Sequence, residues 1–110
     1  MIQVEEARQF FEANGALFID ARSDYDFKLG HIKGAFNLPL PEFDQKKNIL
    51  SAIPKDKLLI TYCNGTGCNS SIELSVKLAL AGFTNVRIFY GGWKEWEAMK
   101  LPTEHEEQRQ

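Results

Sequence analysis

The stretch Leu58-Leu59-Ile60-Thr61-Tyr62 runs directly into Cys63-Asn64-Gly65-Thr66-Gly67-Cys68-Asn69 and then into a helical pattern. Near-continuous apolarity over strand length predicts a strand buried on both faces, as in the middle of a parallel sheet. Ser70-Ser71-Ile72-Glu73 has the form of a capping box, and Gly82 supplies a stop, so a helix is expected over 70–81. Ile72, Val76, Ala79 and Leu80 are expected to share its buried face. A buried strand, a short glycine-bearing loop and a helix in that order restrict the chain to α/β architectures.

The flanking segments agree. Val4, Ala7, Phe10 and Phe11 recur at helical spacing over residues 4–14, and Asn14-Gly15 provides a stop. Ala16-Leu17-Phe18-Ile19 is a strand candidate. A shorter helix should begin at Ser23, with Asp26 as capping partner, and end before Gly30. Ala35-Phe36-Asn37-Leu38 reads as a short strand halted by Pro39. Residues 41–52 read as a helix opened by Pro41, with Phe43, Ile49 and Leu50 as its apolar contacts. Val86–Tyr90 is another strand, and Gly91-Gly92 turns into a last helix over 93–100. Strands alternating with helices predict a mostly parallel sheet.

With 110 residues there is room for one core only. That domain is expected over 1–102. Residues 103–110 carry no apolar side chain and are expected as a polar tail. The charge balance, 13 basic against 15 acidic residues, lacks any Lys/Arg cluster and argues against nucleic acid as a partner. The apolar runs fall short of the ~18 residues that a membrane span requires. The first residues have neither a basic nor an apolar leader region, which predicts a cytoplasmic setting, although a domain within a longer parent would read the same. Two cysteines are too few for a disulfide scaffold. With only His31 and His105 beside them, no metal site is expected.

Ligands of such sheets bind where a strand's carboxyl end leads into a helix. Asn64, Gly65, Thr66, Gly67 and Asn69 suit a curled loop whose backbone N–H groups converge, at the positive end of the following helix. A thiol at Cys63 would be favoured there as thiolate, and the same cradle would hold an anionic atom on its sulfur. The other reading of Cys63 is a small apolar residue that ends a buried strand.

Further segments resemble one family. Asp20-Ala21-Arg22, Tyr25-Asp26-Phe27 and Gly30-His31-Ile32-Lys33-Gly34-Ala35-Phe36-Asn37-Leu38-Pro39 resemble the first half of rhodanese domains. Tyr62-Cys63 and its loop resemble their active-site segment. Gly82-Phe83, Val86, Tyr90-Gly91-Gly92-Trp93, Trp96 and Leu101-Pro102 resemble their closing segment. The resemblance runs in order from about residue 2 to residue 102. It implies a single α/β domain with a central parallel sheet of about five strands flanked by helices on both faces. It implies a sulfurtransferase without cofactor or metal, moving sulfane sulfur from a donor such as thiosulfate or a persulfide to a thiophilic acceptor, a protein thiol among them. The sulfur would ride as a persulfide on Cys63, with the binding loop formed by Asn64, Gly65, Thr66, Gly67, Cys68 and Asn69.

One position departs from the family pattern. Many rhodaneses place an arginine at the last loop position, where this chain has Cys68; position 69, at which phosphatase-like relatives need arginine, is Asn69. Neither register supplies a guanidinium for an anionic donor, which argues against phosphatase chemistry. Two other readings stay open: a thiol-redox role for a Cys63/Cys68 pair, including Cys68 as a resolving thiol, and a non-catalytic docking module. Asp20 and Arg22 read as a structural ion pair, or else Arg22 faces substrate. His31 reads as a hydrogen-bonded structural residue or a general base. Trp93 and Trp96 read as core or as pocket wall.

Overall fold

The computed structural model describes residues 1–106. Four strands, β1 (Leu17–Asp20), β3 (Phe36–Asn37), β4 (Leu59–Tyr62) and β5 (Val86–Phe89), form a sheet in the order β3-β1-β4-β5. Every pairing in it is parallel. The central strand β4 aligns Leu59 with Leu17 and Val86, and Tyr62 with Asp20 and Phe89. The expectation of about five strands is corrected to four among the described residues. Ile2 adds a single parallel bridge to Phe89, because α1 (Val4–Glu12) begins two residues later and ends any further pairing.

Strand alternation explains why helices cover both faces. Phe18, Ile60, Tyr62 and Phe89 pack with Ala7 of α1 and Trp96 of α5 (Gly92–Ala98). Ile19 and Leu59 point to the other face, against Phe43 of α3 (Phe43–Lys46) and Leu74 and Leu78 of α4 (Ser70–Leu80). Successive residues of a strand face opposite ways, so one run of apolar residues serves two cores. The remaining helix, α2 (Asp24–Leu29), starts where expected: Ser23 Oγ accepts from the Asp26 N–H at 3.1 Å.

Four further expectations differ from the structure. The buried face of α4 is Ser71, Leu74 and Leu78, while Val76 and Leu80 are exposed, Leu80 at 84%. Apolar residues lie all round this helix, so periodicity alone does not choose a face; packing on β4 and β5 does. Ser70–Glu73 forms no side-chain cap, since Asn69 takes the cap position through its carbonyl, which accepts from the Glu73 N–H at 3.0 Å. The segment 41–52 is a short α3 between two 3₁₀ turns, Leu40–Glu42 and Lys47–Ala52, with Phe43 and Leu50 buried but Ile49 exposed.

The fourth difference concerns the polar end. Thr103–Glu104 forms β6, antiparallel to β2 (His31–Ile32). Glu104 Oε1 accepts from the Gly34 N–H at 2.7 Å, which with nearby His31 holds its carboxyl below the ordinary range. Glu106 N–H donates to Lys28 O at 2.9 Å. Backbone pairing, which asks nothing of apolarity, organises the start of the expected tail; its residues 107–110 lie outside the described residues. No described helix is long and apolar enough to cross a membrane.

Leu74→Ala should lower unfolding free energy by about 2–5 kcal/mol, because Leu74 is fully buried. Leu80→Ala should change it by less than about 0.5 kcal/mol. Urea unfolding of both variants tests which face of α4 is packed; equal effects would contradict the structure.

Candidate active site

The carboxyl end of β4 delivers Cys63, 5% exposed, to the edge of the sheet. The loop that follows is anchored through its carbonyls. Trp93 N–H donates to Cys63 O at 2.9 Å, Lys94 N–H to Asn64 O at 2.8 Å, and Cys68 N–H to Gly65 O at 3.1 Å. This approach of α5 depends on Gly92, whose φ is +65° and where a Cβ would stand 2.5 Å from Cys63 O. Any larger residue would meet a backbone atom that cannot step aside.

With the carbonyls of Cys63, Asn64 and Gly65 taken, the N–H groups of Asn64, Gly65 and Thr66 donate to no acceptor among the described residues. These unbonded amides precede the N-terminus of α4, the helix end whose dipole favours negative charge. Gly67, at φ +92°, bends the chain back, and its N–H donates to Tyr90 Oη at 3.0 Å. The bend returns Cys68 to Cys63. The two are joined by a disulfide, with Cα atoms 6.3 Å apart.

Both cysteines open on a cleft of about 340 Å³, shared with Asn64, Arg22, Asp26 and Glu42. Arg22 is no free cation. Its Nη2 lies 2.8 Å from Asp20 Oδ2 and donates to Gly30 O at 2.6 Å, and its Nε donates to Asp20 Oδ1 at 3.1 Å. Burial opposes its charge, but the Asp20 hydrogen bond and charge outweigh that and hold its pKa above the ordinary value. Asn37, on β3, ties the same corner by donating to Asp20 O at 3.2 Å and to Arg22 O at 2.9 Å. Asp20 and Arg22 are thus a buried ion pair.

The remaining candidates separate. His31 is buried away from the cleft, with its Nδ1–H on Phe27 O at 2.6 Å, its ring stacked on Phe27, and Nε2 3.3 Å from Glu104 Oε1. Trp96 is core, its Nε1–H donating to Pro102 O at 2.8 Å. Trp93 stands 5.0 Å from the Arg22 guanidinium and walls a second hollow with Gly30 and Asn64. Thr66 faces a different cleft, with Tyr90 and Glu95. Tyr62 is buried, which with the nearby Asp20 charge pushes its phenol well up, and its Oη accepts from the Ile32 N–H at 3.1 Å. Sequence reasoning does not single out Glu42 or Tyr90 as site residues. Neither has a local signal, because folding alone brings them to the loop.

A parallel α/β domain with a cysteine-headed loop at the sheet's carboxyl edge is the class that fold and site define. A family model for the rhodanese-like domain matches residues 3–99, and the chain belongs to that family. Among curated proteins it is similar to a tRNA uridine(34) hydroxylase of Staphylococcus aureus, 34% identical over 90 residues that cover 79% of this chain and 28% of that protein. It is also similar to the HTH-type transcriptional regulator Rv0324 of Mycobacterium tuberculosis, 28% identical over 84% of this chain and 39% of that protein. The chain therefore spans less than half the length of these relatives. Among solved structures, the BH2092 protein of Bacillus halodurans superposes with a TM-score of 0.85 at 24% identity, covering 94% of this chain and 75% of that one. The human single-domain sulfurtransferase TSTD1 superposes with a TM-score of 0.75 at 21% identity, covering 89% and 95%. These two likenesses speak for the fold.

Gly92→Ala should destabilise the domain by about 1–3 kcal/mol through the left-handed conformation alone. Displacement of Cys63 O adds to that. Thermal unfolding measures it, and a midpoint within a degree of the parent would refute the role given to this glycine.

Proposed function

We propose that the domain is a sulfurtransferase that carries sulfane sulfur as a persulfide on Cys63. The observation that carries this reading is the position of Cys63 at the head of a loop whose nearest N–H groups are free. In the reduced protein those donors and the start of α4 favour the Cys63 thiolate. The thiolate attacks the outer sulfur of a donor R–S–S⁻; the bond between the donor's two sulfurs breaks, R–S⁻ leaves, and Cys63–S–S⁻ forms. With thiosulfate the leaving group is sulfite. A thiophilic acceptor then takes the outer sulfur and restores the Cys63 thiolate. The Asn64 amide and the start of α4 hold the terminal sulfur anion through each half. Membership in the rhodanese-like family and the fold shared with a sulfurtransferase support this assignment.

The cleft favours donors and acceptors with little negative charge. Its one guanidinium is committed to Asp20, Cys68 stands where an arginine would clamp an anion, and Asp26 and Glu42 face the same space. A persulfide or thiol on a small molecule or protein fits better than a dianion. A second reading, a thiol-redox domain, is favoured by the Cys63–Cys68 disulfide itself.

Reduced protein mixed with thiosulfate and sampled by mass spectrometry through the first turnover should pass through a form that has gained one sulfur on Cys63. Loss of two hydrogens with no sulfur ever bound would favour the redox reading instead. Cys63→Ser should abolish loading and leave the midpoint of the reduced protein nearly unchanged, since the swap is close to isosteric. Transfer to cyanide at the parent rate by that variant would refute the carrier role. Cys68→Arg should lower the KM for thiosulfate about tenfold, the equivalent of ~1.4 kcal/mol of charge-assisted binding. An unchanged KM in steady-state kinetics would show that the last loop position does not govern donor choice.

A further inference from the structure

We infer that Cys68 resolves the persulfide on Cys63 and makes the domain a sulfide-releasing enzyme, a second outcome for the sulfur that rests on Cys63 being its carrier. In this step the Cys68 thiolate attacks Sγ of Cys63. The bond between that Sγ and the outer sulfur breaks, and the outer sulfur departs as hydrosulfide: Cys63–S–SH and Cys68–S⁻ become Cys63–S–S–Cys68 and HS⁻. The sulfane sulfur gains two electrons, and the two cysteines lose two. A dithiol reductant then returns both cysteines to thiols for the next cycle.

Three features of the loop carry this. In the disulfide-bonded loop the Cα atoms of Cys63 and Cys68 lie 6.3 Å apart, inside the span of roughly 4.4–6.8 Å usual for disulfides, so the fold accommodates the product of this step. That curl is built in: Gly67 takes its left-handed turn, Cys68 N–H bonds Gly65 O, and Gly67 N–H bonds Tyr90 Oη. Both cysteines also open on the same cleft of about 340 Å³, which gives the outer sulfur room beside Cys63 while Cys68 approaches from the loop. Asp26 and Glu42 on its wall, with Arg22 committed to Asp20, leave no free cation among its described lining residues to retain the departing hydrosulfide. Where the last loop residue is an arginine, no thiol is available for this step. Here the substitution replaces an anion clamp with an internal nucleophile.

The test is a single-turnover measurement on the full chain. Protein reduced with dithiothreitol and then freed of it is mixed with excess thiosulfate, with no other thiol present. Sulfide is trapped with a bimane reagent, and the peptide bearing both cysteines is weighed. The parent should release one sulfide per chain and finish with that peptide lighter by two hydrogens; added dithiothreitol should restore turnover. Cys68→Ser should acquire one sulfur on Cys63 and hold it, with sulfide at the level of the protein-free control. Release at the parental rate by a loaded Cys68→Ser would overturn the inference and leave sulfur transfer by Cys63 standing. Retention of the sulfur on the parent, on either cysteine and without sulfide, would overturn it equally. Failure of both proteins to load sulfur would remove the carrier reading and this inference together. The parent's ratio of sulfide to disulfide decides the matter even if the variant is unstable.

Discussion

The contact of the Gly92 backbone with the carbonyl of Cys63 is the constraint from which the site follows. A strand buried on both faces can end in many ways, and most would leave its last residue free to drift. Here α5 docks directly over that end, close enough that a Cβ at position 92 would overlap Cys63 O, and two of its amides capture the carbonyls of Cys63 and Asn64. Backbone carbonyls satisfied on the α5 side leave the amides of the same loop without acceptors. The polarity of the loop is thus set by where its acceptors are spent.

Electrostatics follow from a second commitment. Arg22 sits beside the cleft, yet its guanidinium is consumed by Asp20 and the carbonyl of Gly30, and Asn37 ties the carbonyls of the same corner. Breaking one partner of such a buried pair costs about 3–5 kcal/mol, so Arg22 is not available to a substrate anion. With Cys68 at the end of the loop and carboxylates at positions 26 and 42, backbone dipoles are the positive elements left at the sulfur. In the proposed function they favour one small anionic atom close to the loop over a diffuse dianion in the cleft.

The fold is shared with proteins that do different things. A hydroxylase and a transcriptional regulator each contain a stretch similar to this chain within a longer protein, and a stand-alone sulfurtransferase has the same architecture. A scaffold used in such varied settings does not by itself dictate chemistry. In the proposed function the chemistry resides in a few loop positions and in what they are held against.

Much of the fold and of the candidate site is legible in the amino-acid sequence. Near-continuous apolarity at 58–62 is compatible with burial on both faces, so the central parallel strand can be read from one segment. Helix starts and stops at Ser23, Asn14-Gly15 and Gly91-Gly92 are readable because capping and left-handed turns are local events. Cys63 and its loop are readable for the same reason. What tertiary structure alone decided is whatever depends on distant partners. Leu74 and Leu78 rather than Val76 and Leu80 face the core because α4 must lie on β4 and β5, a choice its own apolar residues leave open. Thr103–Glu104 joins His31–Ile32 through backbone bonds to which side-chain polarity gives no clue. The pairing of Cys63 with Cys68 follows from a curl completed by Tyr90, a residue 22 positions beyond Cys68 whose hydroxyl reaches the loop only after β5 is in place. Sequence determines local conformation because its energetics are short-ranged; it is the packing of remote elements that chooses which faces, edges and thiols meet.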